Sequence, residues 1–182
     1  MKLGDEVVVE LDEIDRSILA LLQEDCRTPL ARLGEAVGLS APAVMERIKK
    51  LEAAGVIRGY RAILDARRLG LDITAFIGVI IGNSGAIGTV EQQIVALDDV
   101  LECHHVTGEY TLLVKVKTAN TGSLERLISQ IRSLDGVQRT ETMVGLSTHT
   151  ERVQLGLRRP TVEAPPANGK RARKNDRQLR RA

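Results

Sequence analysis

Three residues, Gly38-Leu39-Ser40, separate two stretches that each carry an apolar stripe at helical spacing. Leu30, Leu33 and Val37 lie on one side of the connection, and Val44, Ile48 and Leu51 on the other. A glycine-containing link this short forces two helices to cross sharply, which is helix-turn-helix geometry. Ile14, Ile18, Leu21 and Leu22 add a helix upstream, so residues 11–65 read as a three-helix unit. Thr28 is a good N-cap with Pro29 at the first helical position, Ser40 is placed to cap the third helix, and Gly55 to stop it.

The third helix carries the functional reading. With Val44, Ile48 and Leu51 inward, Pro42, Ala43, Glu46, Lys49 and Lys50 point away from the core and Arg47 sits on the flank. Small residues at Ala41, Pro42 and Ala43 permit close approach to base edges, and the later cations can meet phosphates. Ser40 and Thr28 cap the two helices of the motif, and Arg27 precedes the second helix, beside the same DNA backbone. No Asn or Gln stands in the first turns to form bidentate contacts to adenine, so recognition is expected to lean on Arg47 and DNA shape, with Lys50 and Arg27 on phosphate. A plain three-helix bundle with a solvated charged face is the competing account.

Beyond residue 72 the period changes. Ile73, Ala75, Ile77, Val79 and Ile81 alternate along a strand, Val90, Ile94 and Leu97 give a helix, and Leu101 to Val106 a second strand. Gly108-Glu109 turns the chain into a third strand, with Tyr110, Leu112, Val114 and Val116 on one face and Thr111, Leu113, Lys115 and Lys117 on the other. Leu124, Leu127, Ile128, Ile131 and Leu134 make a second helix, Asp135-Gly136 breaks it, and Val137 to Ser147 is the last strand. The order β-α-β-β-α-β is the ferredoxin-like arrangement. Its helices cover one sheet face, and the open face predicts a dimer.

Composition narrows the class. The 182 residues are 43% hydrophobic and 27% charged, ordinary for a globular chain, and no apolar run reaches the ~20 residues needed to span a bilayer. The N-terminus turns acidic where a signal peptide would turn apolar, and two cysteines are too few for a disulfide scaffold, so a cytoplasmic location is expected. The net charge of +2 conceals an asymmetry: residues 158–182 hold nine Lys and Arg against two Asp and Glu. That stretch reads as a disordered tail, either solubilising or phosphate-binding.

Catalytic and metal chemistry find no support. Cys103 and His105 share a strand face, with His104 opposite, but two ligands do not close a zinc site, and a buried structural cysteine is the better account. Asp12 and Asp15 suit a helix start. No phosphate loop, nucleophile elbow or HExxH occurs. The chain is read as a non-enzyme without cofactor or metal.

Several motifs in order resemble the Lrp/AsnC (leucine-responsive, feast/famine) transcriptional regulators. They are Leu11-Asp12-Glu13-Ile14-Asp15, Leu30-Ala31 with Gly38-Leu39-Ser40, Glu46-Arg47-Ile48-Lys49-Lys50-Leu51-Glu52, Gly55-Val56-Ile57-Arg58-Gly59-Tyr60, Glu102-Cys103-His104-His105-Val106-Thr107-Gly108, and Gly136-Val137. The resemblance implies an α+β chain: a winged-helix-type helix-turn-helix domain (11–62), a linker (63–72) and a ferredoxin-like sensor (73–155), ahead of the basic tail (158–182) that composition marks off. It also implies a strand at 56–64, dimers that assemble further, as into octamers, and an amino-acid-related effector bound between sensor domains. The family's effector loop usually reads Gly-x-Tyr/Phe-Asp; here it is Gly108-Glu109-Tyr110-Thr111, with threonine in place of the acid. The effector site is placed at Thr107, Gly108, Glu109, Tyr110 and Thr111, completed by Thr142, Met143 and Val144, with weak response to simple aliphatic amino acids. The expected function is a sequence-specific regulator that binds double-stranded DNA and is tuned by that effector; a nucleoid-associated architectural protein is the alternative, and a small enzyme or ligand carrier comes last.

Overall fold

The computed structural model describes residues 8–157, so the tail from 158 and the first seven residues lie outside the described residues. Two compact units are present: residues 8–58 with 154–157, and residues 59–153.

In the first unit, α1 (Glu13–Glu24), α2 (Leu30–Val37) and α3 (Ala41–Ala53) close around Ile18, Leu33 and Val44, all fully buried. Asp12 caps α1 in a reciprocal box: it accepts from Asp15 N at 2.7 Å, and Asp15 Oδ2 accepts from Asp12 N at 3.3 Å. Gly38 ends α2 at φ 72°, and Ser40 Oγ accepts from Ala43 N at 3.4 Å to start α3. The tightest point of the turn is Gly34, where a Cβ would stand 2.3 Å from the Leu39 carbonyl oxygen. That carbonyl is drawn in because Leu39 N donates to Gly34 O at 2.9 Å.

Two expectations are corrected here. Thr28 does not cap α2: its hydroxyl donates to Asp25 O at 2.8 Å and closes the α1–α2 turn, leaving α2 without a side-chain cap. Residues 56–64 form no strand, and Tyr60, Ile63 and Leu64 are exposed. A strand needs a neighbouring backbone for its N–H and C=O groups, and these residues join no ladder among the described residues.

The second unit runs β1 (Ile73–Ile81), α4 (Ile87–Val95), β2 (Val100–His105), β3 (Leu112–Thr118), α5 (Thr121–Arg132) and β4 (Val137–Val144). The sheet order is β2-β3-β1-β4, antiparallel throughout. Ala75, Ile77 and Val79 of β1 and Leu112, Val114 and Val116 of β3 face α4 and α5, where Val90, Ile94, Leu124, Leu127 and Ile131 complete the core. The other face carries Thr74, Phe76 and Gly78 of β1, paired in register with Lys117, Lys115 and Leu113 of β3. Cys103, opposite Val114, packs against the core, and burial pushes its thiol pKa up, with the Glu91 charge adding to the effect.

Candidate nucleic-acid interface and effector-binding turn

α3 presents Pro42, Glu46, Lys49 and Lys50 to solvent, as the helical spacing requires. Lys49 lies 3.8 Å from Glu46, a loose surface pair of little energetic weight. Among the described residues the Lys50 ammonium has no ion pair, which leaves it available to a phosphate. Arg27, beside the α1–α2 turn, is exposed with its guanidinium 3.6 Å from Asp25.

Arg47 lies on the flank of α3, half-buried, with its guanidinium turned toward α1. Its Nη1 donates to Asp12 Oδ2 at 2.6 Å and to Asp15 Oδ1 at 2.7 Å, so the guanidinium ties α3 to the N-terminus of α1. Asp12 is held below the usual carboxylate range first by the Asp15 backbone N–H and then by Arg47, and the two acids raise the Arg47 pKa. The Arg47 guanidinium is thus engaged with the start of α1, a contact that positions α3. The same two aspartates serve as helix cap and as counter-ions. Ala43, Glu46, Arg47 and Lys50 line one side of a groove of about 650 Å³, with Val9, Glu10 and Leu11 on its other wall.

In the second unit the turn at 107–111 is built around Gly108, at φ 115°. Val106 N donates to Thr111 O at 3.1 Å, and Thr111 N donates to Val79 O at 2.9 Å, which fastens the turn to β1. The Thr111 hydroxyl accepts from Ile81 N at 3.2 Å, where the β1–β4 register slips between Ile80 and Ile81. Thr111 thus satisfies a donor at an irregularity in the ladder; its hydroxyl does not stand idle as a neutral substitute for a ligand-binding acid.

Tyr110 is also corrected. It precedes β3 rather than belonging to it, and it does not share the core face of Leu112, Val114 and Val116. Its ring covers Gly78 on the opposite face, where a Cβ would come within 2.5 Å of Tyr110 Cδ1. Gly78 is opposite Glu141 of β4, and the phenol pKa is raised by desolvation and then by a hydrogen bond with that carboxylate. Of the expected β4 residues, Met143 lies opposite Phe76 on this outer face, whereas Thr142 and Val144 pair with the core-facing Ile77 and Ala75. The structure therefore brings Tyr110 together with Gly78 and Glu141, which sequence reading missed. A lone glycine inside the apolar run Ile77-Gly78-Val79 was the available signal for a close approach.

Next to this patch lies an ion network. Lys115 Nζ, on a largely buried side chain, meets Glu102 Oε1 at 3.1 Å and Glu151 Oε1 at 2.5 Å, and Lys117 Nζ meets Glu151 Oε2 at 2.7 Å. These cations hold Glu151 below the usual range, and His104 and then Lys115 do the same for Glu102. Residues 148–152 thereby run across the outer sheet face, where Thr74, Phe76, Lys115 and Arg152 line a cavity of about 610 Å³. Among the described residues no helix is long and apolar enough to cross a membrane.

Comparison with known proteins agrees with both units. The model of the AsnC-type helix-turn-helix domain matches residues 11–52, and that of the Lrp/AsnC ligand binding domain matches residues 74–155. The HTH-type transcriptional regulator FL11 of Pyrococcus abyssi is 37% identical over 150 residues, which cover 82% of this chain and 99% of that protein. The regulatory protein AsnC of Escherichia coli is 33% identical over 137 residues, covering 75% and 90%. Its solved structure aligns with a TM-score of 0.76 at 31% identity, over 80% of this chain and 99% of that one. A transcriptional regulator of Neisseria meningitidis, solved as its complex with L-methionine, aligns at 0.78 with 30% identity, over 81% and 97%. The chain belongs to the Lrp/AsnC family: it is a transcriptional regulator with a helix-turn-helix DNA-binding domain and a ligand-binding domain.

Proposed function

We propose that α3 enters the major groove with Pro42, Glu46, Lys49 and Lys50 foremost, and that an amino-acid-related effector at the Tyr110 turn tunes DNA affinity or assembly. The observation that carries the first part is the Arg47 bridge to Asp12 and Asp15, which fixes α3 on α1 while its outer face stays in solvent. The second part is supported by Tyr110, Gly78 and Glu141 gathered beside Gly108, and by the L-methionine complex of the similar Neisseria regulator. Arg139 and Glu141 stand on the same outer face and supply both signs of charge for a zwitterion.

The active unit in this reading is a homodimer or a higher assembly, acting on duplex DNA in the cytoplasm without a catalytic step. Exposed Phe76 and Met143 on the sheet, and the segment 58–64, outside any strand and with Tyr60, Ile63 and Leu64 exposed, suit contact with a second copy. Footprinting of the full chain, with and without L-methionine and other amino acids, tests the proposal. Discrete protected sites whose occupancy responds to one amino acid are expected. Protection of all sequences alike, unmoved by any amino acid, would favour the architectural reading, to which the engagement of Arg47 with Asp12 and Asp15 lends weight.

A further inference from the structure

The helix-turn-helix unit is short of positive charge. Residues 8–58 hold seven Lys and Arg against nine Asp and Glu. Most of those cations already face an acid: Arg47 meets Asp12 and Asp15, Arg27 lies beside Asp25, Arg32 beside Glu35, and Lys49 beside Glu46. Affinity for duplex DNA at physiological salt depends on how many phosphates the protein's cations neutralise. A unit with this balance supplies few.

The missing charge lies further along the chain. Residues 158–182 carry nine Lys and Arg against two Asp and Glu, and they begin beyond the end of the family match at 155. The chain that enters this stretch is held on the helix-turn-helix unit by Gln23, in the last turn of α1. The Gln23 carboxamide accepts from Leu155 N at 2.7 Å and donates to Leu155 O at 3.2 Å. The Gln154 side chain in turn donates to Gln23 O at 3.0 Å. One carboxamide offers a donor and an acceptor, so it grips a backbone residue as a neighbouring strand would.

We propose that residues 158–182 are a second DNA-contacting element, a basic arm for the phosphates of duplex flanking the α3 site, and that Gln23 is the anchor that fixes its starting point. The inference rests on the chain's binding to DNA and is independent of the effector site. Seven of the nine cations fall within residues 170–181, and Lys170 is fifteen residues past Leu155. At a limit of ~3.4 Å per residue, that cluster can reach roughly 50 Å from the anchor, more than one ~34 Å turn of duplex. Anchoring on the DNA-binding unit raises the arm's effective concentration at the DNA that this unit holds.

The test is DNA binding by the full chain across a salt series, beside two variants. One ends at residue 157; the other keeps its length but has the seven Lys and Arg of 170–181 changed to Gln. Both should lose at least tenfold in affinity at about 0.1 M salt, with the log–log salt slope falling by about 0.9 per lost phosphate contact and footprint positions unchanged. Unchanged affinity and slope in the charge-neutral chain would overturn the proposal, including the case in which that chain has lost binding to anionic vesicles instead. Gln23→Ala should weaken the native chain severalfold and leave the charge-neutral chain unaffected. Equal losses in both backgrounds would remove Gln23 from the anchoring role.

Discussion

The ring of Tyr110 occupies the space that a side chain at Gly78 would need: a Cβ there would stand 2.5 Å from Tyr110 Cδ1. Strand β1 and the turn at 107–111 are matched here by shape, in addition to the Thr111 bonds to Val79 and Ile81. Gly78→Ala should displace Tyr110, cost about 1–3 kcal/mol as an overpacking change, and return the Tyr110 phenol pKa downward toward its ordinary value. Thermal unfolding and ultraviolet pH titration measure the two effects. A titration curve unchanged in the variant would show that Tyr110 does not depend on Gly78.

Arg47 holds α3 through two short bonds to acids, at a site that keeps part of its exposure. Arg47→Met should cost about 1 kcal/mol, a charge-assisted pair discounted for solvent screening. DNA affinity should fall because α3 loses its seat, while the ranking of preferred sequences is retained. A changed ranking in a selection experiment would show Arg47 reading bases instead.

Lys50→Ala removes a cation that has no partner among the described residues. Binding should weaken by about the same factor on every sequence, with the salt slope falling by about one. Loss confined to one preferred sequence would instead place Lys50 on a base.

Acid should release the segment that crosses the outer sheet face. The pKa of Glu151 is depressed by Lys115 and then Lys117, and that of Glu102 by His104 and then Lys115. Their stabilisation is complete above the unfolded glutamate value, roughly 4.3, and is lost as the pH falls from there through their lower folded values. Glu151→Gln should therefore reduce stability at pH 7 and flatten its dependence below pH 4.3. Denaturant unfolding across that range would decide; an unaltered acid limb would dismiss the Glu151 contribution.

Periodicity accounts for most of what was legible beforehand. The 3.6-residue stripe places Ile18, Leu33 and Val44 in one core, and the two-residue alternation places Ala75, Ile77, Val79, Leu112, Val114 and Val116 in another. Alternation misled at Tyr110 because the ladder begins only at Leu112, and once the chain leaves a strand the parity of its side chains is lost. Arg47 occupies a flank of α3 between solvent and α1, and its partners lie 32 and 35 residues away, beyond any local pattern. The strand expected at 56–64 needs a backbone partner, and the described residues provide no ladder for it. Thr28 had two acceptable local uses, helix cap or turn closure, and the Asp25 carbonyl, which also accepts the Thr28 N–H, took its hydroxyl.

Gly34 has no room for a side chain. A methyl group there meets the Leu39 carbonyl at 2.3 Å, a backbone atom with no rotamer to escape into. Gly34→Ala should lower the stability of the first unit by 2 kcal/mol or more, at the upper end of ordinary substitutions, and abolish DNA binding. Circular dichroism separates the loss of these helices from the sheet signal of residues 59–153.

The same contact bears on how such a chain can acquire new targets. Because the bend between α2 and α3 is enforced by backbone against backbone at Gly34 and Leu39, and the seat of α3 by Val44 and Arg47, no residue on the exposed side of α3 is needed to hold its angle. Pro42, Glu46 and Lys49 are accordingly free to vary without disturbing the mount. A regulator built this way can be retargeted by surface substitution alone.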